Sequence, residues 1–360
     1  MNNRIKKILI IGSQGYLGSI LMDYLQSKGY YCVGADIGFF QYGVLYPPKA
    51  APILDKEART VTEKDIKDFD VVLMLAGISN DPFGNLSYEE IYDPTRVYAI
   101  KVAKMCKKTG VRFIFPSSCS VYGDGGDGSK LNENSPTNPL TPYSLNKLQI
   151  EQDLMELADE NFSPISLRFG TVFGSSPRIR FDVVINMLCG MAVAEKKVVL
   201  NSDGQAWRPH IYIDDVCESF RCSIDWTYNG GRLVVLNVGR NDGNFKIIDI
   251  AKLIQSEVDG CELHFLSQSS EDEIDDLVKD RKIQDGVDKR TYRVSFDKIH
   301  EVLPGFEAKW PVEKGVKKLI KDLERWKLNQ EKFKQRDFYR LQQIEFLYET
   351  GQINDELYFK

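Results

Sequence analysis

The first thirty residues contain the pattern that most constrains the fold. Residues 7–11 (KILII) form an apolar, β-branched run, and the stretch GSQGYLG with Gly12, Gly15 and Gly18 follows directly. Residues 19–28 then place apolar side chains at helical spacing. Glycines between a strand and a helix let the backbone approach a phosphate, and the helix N-terminus offers unpaired N–H groups. The order predicts a strand–turn–helix unit that binds a dinucleotide.

The same alternation continues along the chain and predicts the fold class. Further apolar strands are predicted at 30–35, 71–76, 112–116, 165–169 and 233–238, with a helix at 98–107 between two of them. Strands that are apolar on both faces and alternate with helices are typical of a parallel sheet covered on both sides. We therefore expect an α/β protein, with a Rossmann-type doubly wound parallel sheet and a smaller α/β substrate-binding domain.

The rhythm of the elements changes after about residue 171, which suggests a second domain built from separate late segments. We assign residues 1–172 and 209–262 to the NAD-binding domain, 173–208 and 263–325 to the substrate-binding domain, and 326–360 to a helical C-terminal tail. The tail is rich in Lys, Glu, Gln and aromatic residues. Both a solvated helix and a subunit contact are open interpretations of that composition.

An acidic residue at the end of the second strand indicates which dinucleotide is bound. Asp36 lies 18 residues beyond Gly18. A carboxylate at this place accepts the ribose hydroxyls of an adenosine and repels a 2′-phosphate. The expected cofactor is therefore NAD and not NADP.

Charge and cysteine usage exclude several other classes of protein. The chain has 360 residues and a formal net charge of −5, without the basic excess of proteins that bind nucleic acid or membrane surfaces. No apolar stretch approaches the ~20 residues that span a bilayer. Seven scattered cysteines without a CxxC motif indicate reduced thiols in a cytoplasmic protein, and three separated histidines make a metal site unexpected.

Three residues form a candidate catalytic group. Tyr143 and Lys147 lie four residues apart in a predicted helix, which puts both side chains on one face. A nearby ammonium group lowers the pKa of a phenol, which can then exchange a proton with a sugar hydroxyl. Ser118 follows the predicted strand 112–116, at the edge of the sheet where doubly wound folds bind ligands.

Taken together, these motifs resemble those of the extended short-chain dehydrogenases/reductases, especially the NAD-dependent nucleotide-sugar epimerases and dehydratases. The shared elements are GSQGYLG, Asp36, MLAG, SSCSVYG, the Tyr143/Lys147 pair and LRFGTVFG, over roughly residues 5–325. The resemblance implies that Ser118, Tyr143 and Lys147 are catalytic and that Lys147 also holds the nicotinamide ribose. It further implies a homodimer and a nucleotide-diphospho-sugar substrate, with no nucleic-acid or membrane partner. The cofactor contacts that it implies are Gly12, Gly15, Tyr16, Leu17, Gly18, Asp36, Leu75, Ala76, Gly77, Tyr143, Lys147 and Phe169.

The resemblance also implies which side chains bind the substrate. Arg208, in the segment SDGQAWRPHIYIDD, matches the phosphate-binding arginine of the family. Arginine suits this role because its planar guanidinium pairs with two phosphate oxygens. The expected substrate contacts are Ser79, Ser118, Thr171, Arg178, Arg180, Arg208 and Arg290, and no metal ligand is among them.

The residues after Ser118 narrow the choice of reaction. The 4,6-dehydratases of the family carry an Asp-Glu pair there, whereas this chain has Cys119 and Ser120, which argues against elimination of water. Redox chemistry at C4 of the sugar remains, and the expected activity is a 4-epimerase that passes through a 4-keto sugar. A C4 dehydrogenase or ketoreductase without epimerisation is the alternative, and a non-catalytic NAD-binding relative is a third possibility.

Overall fold

A computed structural model describes residues 5–79, 88–125, 128–266 and 290–360. Residues 267–289, which belong to the predicted substrate-binding domain, lie outside the described residues. In chain order the described strands are β1 (Lys7–Ile11), β2 (Tyr31–Ala35), β3 (Ile53–Leu54), β4 (Val71–Met74), β5 (Arg112–Ser118), β6 (Lys130–Leu131), β7 (Ile165–Phe169), β8 (Thr171–Phe173), β9 (Lys197–Leu200), β10 (Trp207–Tyr212), β11 (Val234–Val238), β12 (Asn244–Lys246), β13 (Glu262–Phe265) and β14 (Arg293–Val294).

The α-helices follow the same alternation along the described chain. They are α1 (Tyr16–Ser27), α2 (Glu63–Ile66), α3 (Tyr88–Thr109), α4 (Pro142–Leu157), α5 (Val184–Glu195), α6 (Ile213–Asp225), α7 (Ile247–Glu257), α8 (Asp297–Val302), α9 (Val312–Arg325), α10 (Gln330–Phe333) and α11 (Arg340–Glu349). None of the described helices has the length and apolar character needed to cross a membrane.

A parallel sheet in the order β11-β7-β5-β4-β1-β2-β3 forms the centre of the described structure. Its neighbouring strands all pair in parallel, and the strand order changes direction next to β1. Helices α1, α6 and α8 bury apolar side chains against one face, and α2, α3 and α4 against the other. The predicted α/β fold with a Rossmann-type doubly wound parallel sheet is confirmed.

A second group of elements packs beside the carboxyl edge of this sheet. It contains the three-stranded sheet β12-β10-β8, the pair β13-β9 and the helices α5, α7 and α9. Their shared core is aromatic and aliphatic, with Phe173, Phe181 and Tyr212 almost fully buried. Because β8 follows β7 after a single glycine, Gly170, this group begins directly at the end of a central strand.

Two element boundaries differ from the sequence-based prediction. Helix α1 begins at Tyr16, inside the glycine motif, because Gly15 already serves as its N-cap. The tail is two short helices and a terminal turn, instead of one continuous helix. One face of helix α11 packs within the chain itself, since Arg340, Gln343, Ile344 and Leu347 are buried. This face is therefore available neither to solvent nor to another subunit.

Candidate active site

The glycine motif forms a tight turn between β1 and α1. Gly12 has a φ of 95°, and a Cβ there would collide with the backbone of Ala76 at the end of β4. A Cβ on Gly18 would collide with the carbonyl oxygen of Gly12. Gly15 differs, because an added Cβ would meet only one atom within 4 Å, at 3.5 Å. Two glycines therefore close the turn, and the third leaves room beside a helix N-terminus.

A pocket lies next to this turn. Its lining combines the glycine motif with the ends of β2 and β4 and one side of α3, and includes Gly12, Gly15, Asp36, Leu75, Ala76, Gly77, Thr95 and Tyr98. In the same turn, the Ser13 hydroxyl and the Gln14 side-chain oxygen are buried without a hydrogen-bond partner among the described residues, and neither residue lines the pocket. Open space at Gly15 and a helix N-terminus fit a bound pyrophosphate.

Asp36 lies at the end of β2 and closes one side of the pocket. Its carboxylate accepts hydrogen bonds from the Gln14 N–H at 2.8 Å and the Gly38 N–H at 2.7 Å. Burial raises the pKa of Asp36, and these N–H groups and the positive charge of Arg178 act against that shift. The two N–H donors hold the carboxylate in a fixed position at the pocket edge, where an adenosine ribose would meet it.

The candidate catalytic residues come from two neighbouring elements. Ser118 is the last residue of β5, and its Oγ accepts a hydrogen bond from the Ser120 N–H at 3.1 Å. Lys147 projects from α4 and its Nζ donates to the carbonyl oxygen of Pro116, in the same strand, at 2.8 Å. The Tyr143 ring lies one helical turn earlier, with its centroid 5.6 Å from that Nζ. The hydrogen bond to β5 therefore fixes the lysine between the strand that ends at Ser118 and the tyrosine ring.

Lys147 is buried, and burial lowers the pKa of its amine to about 7, although Glu151 partly counteracts that shift. The amine also lies 4.5 Å from the centroid of the Phe115 ring. A lysine with a pKa near neutrality next to a tyrosine is typical of a site that moves protons.

A buried ion pair extends from the same helix and was not anticipated from the sequence. Glu151, one turn after Lys147, binds Arg168 of β7 through both carboxylate oxygens, at 3.0 and 2.6 Å. Arg168 also donates to the Tyr122 hydroxyl at 3.0 Å, and that hydroxyl donates to Asn237 at 2.8 Å. The spacing of residues 143, 147 and 151 on one helix face was the available signal.

Two of the predicted substrate arginines separate in space. Arg180 donates to the Ser79 hydroxyl at 2.9 Å and is close enough to Tyr143 for the two to interact electrostatically. Arg178 instead donates to the main-chain carbonyls of Phe40 and Gln41 and lies near Asp36. The structure therefore brings Arg180, which binds Ser79, close to Tyr143, whereas Arg178 supports the loop after β2.

Arg208 and Arg290 come together at the start of β10. Arg208 is buried and donates to the carbonyl oxygen of Arg290. Its guanidinium also lies 5.3 Å from the centroid of the Tyr292 ring. This contact joins the Arg208 guanidinium to the main chain of Arg290, which comes from a distant part of the sequence.

Several expected contacts do not present a side chain to the pocket. Tyr16 is buried and its hydroxyl donates to the Gly174 carbonyl at 2.9 Å. Leu17 packs against apolar core, and the Phe169 ring lies 5.5 Å from that of Phe220. None of these residues lines the pocket, and neither does Gly18. Thr171 pairs with His210 at the start of β8 and is half-buried.

The residues after Ser118 carry no charge at the site. Cys119 is fully buried, and its thiol donates to the Arg168 carbonyl at 3.2 Å. Burial raises the pKa of this thiol. Ser120 is also buried, and its hydroxyl has no hydrogen-bond partner among the described residues. The thiol is thus a packing group.

Comparisons with known proteins give the family. Residues 8–239 match the NAD dependent epimerase/dehydratase family. The uncharacterized UDP-glucose epimerase YtcB of Bacillus subtilis (strain 168) is 27% identical over 277 residues, which cover 72% of this chain and 84% of YtcB. A UDP-glucose 4-epimerase of Streptococcus mutans is 24% identical over 274 residues, with coverages of 69% and 82%.

A solved structure shows the same fold. TunA, described as an NAD-dependent NDP-hexosamine 5,6-dehydratase involved in tunicamycin biosynthesis, superimposes with a TM-score of 0.72 at 21% identity, covering 88% of this chain and 97% of TunA. The family match covers more than half of the chain, and the predicted enzyme class and dependence on NAD are confirmed with it. The chain belongs to the NAD dependent epimerase/dehydratase family.

Proposed function

We propose that the protein is a nucleotide-sugar 4-epimerase, which oxidises and re-reduces C4 of a nucleotide-diphospho-sugar through a 4-keto sugar. The observation that carries the proposal is the geometry of Tyr143, Lys147 and Ser118. The lysine amine is bound to the β5 backbone at 2.8 Å and lies 5.6 Å from the tyrosine ring, next to the strand end at Ser118. The pocket at the glycine motif opens at the same edge of the sheet.

In this proposal each residue of the group has one task. The Tyr143 phenolate, which the Lys147 ammonium favours electrostatically, removes the proton of the C4 hydroxyl to become the phenol and later returns that proton. The Ser118 hydroxyl donates a hydrogen bond to the reacting oxygen. NAD, bound along the glycine motif with its ribose at Asp36, supplies the hydride acceptor. A carboxylate is not needed for these steps, which agrees with the uncharged Cys119 and Ser120.

The arginines around the site would bind the substrate. Arg180 and Ser79 lie on the Tyr143 side, where a sugar would be oriented. Arg208 and Arg290 would bind the diphosphate, because two guanidinium groups match its charge. Residues 1–172 with 209–262 would thus hold the cofactor, and 173–208 with 263–325 the substrate. A homodimer in the cytoplasm remains a prediction, which light scattering and cell fractionation would test.

The direct test is to incubate purified protein and NAD with UDP-glucose, and in parallel with GDP-, dTDP- and CDP-sugars. Epimerisation appears in proton NMR as a second nucleotide sugar that differs in configuration at C4, without net consumption of NAD. Stoichiometric NADH with a released 4-keto sugar would instead show a dehydrogenase. No turnover of any of these sugars, by a protein that binds NAD, would contradict the proposal.

A further inference from the structure

The end of the chain forms a small hairpin, residues 353–359, which we call the C-terminal hairpin. Ile353 and Phe359 pair as an antiparallel bridge, and the Asn354 N–H donates to the Tyr358 carbonyl at 2.9 Å. The Asn354 side-chain oxygen accepts from the Glu356 and Tyr358 N–H groups at 3.1 and 2.8 Å. The turn is therefore built by its own hydrogen bonds. It also lies outside residues 8–239, which match the family.

One arginine ties the C-terminal hairpin to the central sheet. Arg59, in the loop between β3 and α2, donates to the Glu356 carbonyl at 2.7 Å and the Leu357 carbonyl at 3.1 Å. Its guanidinium carbon lies 3.4 Å from the centroid of the Tyr358 ring. Glu57 accepts from its Nε at 3.0 Å and so holds the guanidinium from the other side.

Leu357 adopts an unusual backbone conformation at this attachment. Its φ is 58°, a left-handed region that is unfavourable for a residue with a Cβ, and its side chain is buried. In this conformation Leu357 lines the pocket that is also lined by Gly12, Gly15 and Asp36. Strained backbone is retained where the surroundings require one geometry, and such places cluster at ligand sites.

We propose that the C-terminal hairpin is part of the cofactor site and that Leu357 forms the apolar wall against the adenine of NAD. The inference rests on the proposed placement of NAD at the glycine motif. Besides Asp36, the pocket lining includes the apolar residues Ile37, Phe39, Ala58 and Leu357 and the charged residues Glu57, Arg59 and Glu356. A bound adenosine carries a flat, apolar base next to its ribose. If the ribose lies at Asp36, the apolar side chains that line the same pocket match the base.

The proposal has a thermodynamic consequence that can be measured without substituting a residue. If the hairpin contacts NAD, bound NAD must stabilise the docked hairpin as much as the docked hairpin stabilises bound NAD. Amide hydrogen exchange in residues 353–359 should therefore slow down when NAD or ADP-ribose is added to nucleotide-free protein. Nicotinamide mononucleotide, which lacks the adenosine, should leave the exchange in these residues unchanged.

The decisive variant is Leu357→Gly, which removes the side chain and tolerates the left-handed backbone. Losing an apolar wall should raise the Kd of NAD and of ADP-ribose about tenfold in isothermal titration calorimetry, with the Kd of UDP unchanged. Lys327→Gly is the matched control, because Lys327 is exposed, has a φ of 53° and does not line this pocket. Its Kd for NAD should equal that of the wild type.

Arg59→Met tests the attachment separately. It should speed up hydrogen exchange in the hairpin of the nucleotide-free protein and weaken NAD binding in the same direction as Leu357→Gly. If the wild type binds NAD and Leu357→Gly binds it equally well, or if NAD leaves hairpin exchange unchanged, the inference is wrong and the proposed function stands. If the wild type binds no NAD, the proposed function fails and the inference fails with it.

Discussion

The buried Lys147 should cost the protein stability that an apolar replacement recovers. Burial lowers the pKa of Lys147 from 10.5 to about 7. Each pKa unit corresponds to ~1.4 kcal/mol, so holding the charged amine inside the nucleotide-free protein costs at most ~5 kcal/mol. Lys147→Met removes this cost. It also leaves the Pro116 carbonyl without its hydrogen-bond donor, which lowers the stability by ~1–3 kcal/mol. We expect the variant to be more stable by ~2 kcal/mol at pH 6.

The stability difference between Lys147→Met and the wild type should depend on pH in a defined direction. The pKa of Lys147 is about 7 in the folded protein and 10.5 in the unfolded chain. Between these two pH values the unfolded chain holds a proton on Lys147 that the folded chain lacks. The free energy of unfolding therefore rises with pH across this window, and the cost is fully present only below it. The advantage of Lys147→Met should be largest at pH 6 and should shrink clearly by pH 9.

Differential scanning calorimetry of nucleotide-free wild type and Lys147→Met at pH 6 and pH 9 measures this difference. A gain of ~2 kcal/mol corresponds to a rise in Tm of a few degrees for a chain of this size. The control is Lys104→Met on α3, since Lys104 is exposed and its replacement should change Tm little at either pH. A Met variant that melts below the wild type at pH 6, or a difference that is independent of pH, would refute the reasoning.

Three further predictions concern the site itself. Tyr143→Phe should lower kcat ~10²–10⁴-fold in the epimerase assay, with NAD affinity unchanged by calorimetry, because only the proton-transferring hydroxyl is lost. Asp36→Ala should lower the preference for NAD over NADP about tenfold in paired Kd measurements, because the carboxylate that repels a 2′-phosphate is gone. Glu151→Gln should destabilise the protein by ~3 kcal/mol in urea unfolding, because it leaves the buried Arg168 without its counter-charge; a loss under 1 kcal/mol would contradict this.

The central sheet and its ligand-binding edge could be predicted because their signals are local. The run at 7–11, the glycines that follow and Asp36 lie within thirty residues, and of these Gly12, Gly15 and Asp36 line the pocket. Strands with apolar residues on both faces have one common solution, which is a parallel sheet between helix layers. Tyr143 and Lys147 were recognisable because helical spacing alone puts them on one face.

Contacts between distant segments could not be predicted in the same way. Arg178 and Arg180 are two residues apart, yet Arg178 supports the loop after β2 and Arg180 lies close to Tyr143. The C-terminal hairpin depends on Arg59, which is 297 residues from Glu356. No periodicity in either segment encodes such a contact, because it depends on where the fold brings their backbones.

Helix α4 carries the residues proposed for catalysis next to a buried ion pair. Tyr143, Lys147 and Glu151 follow one another at intervals of one turn, so a single face of the helix carries the Tyr143 phenol, the buried amine and the carboxylate of the buried ion pair. Glu151 is fully paired with Arg168, yet its charge still acts to raise the pKa of Lys147. Removing that charge should therefore lower the pKa of Lys147 further and shift the fraction of ammonium that supports Tyr143. A destabilising change at Glu151 thus also acts on the catalytic step, and the pH profile of kcat in Glu151→Gln reports that second effect separately from the loss of folding free energy.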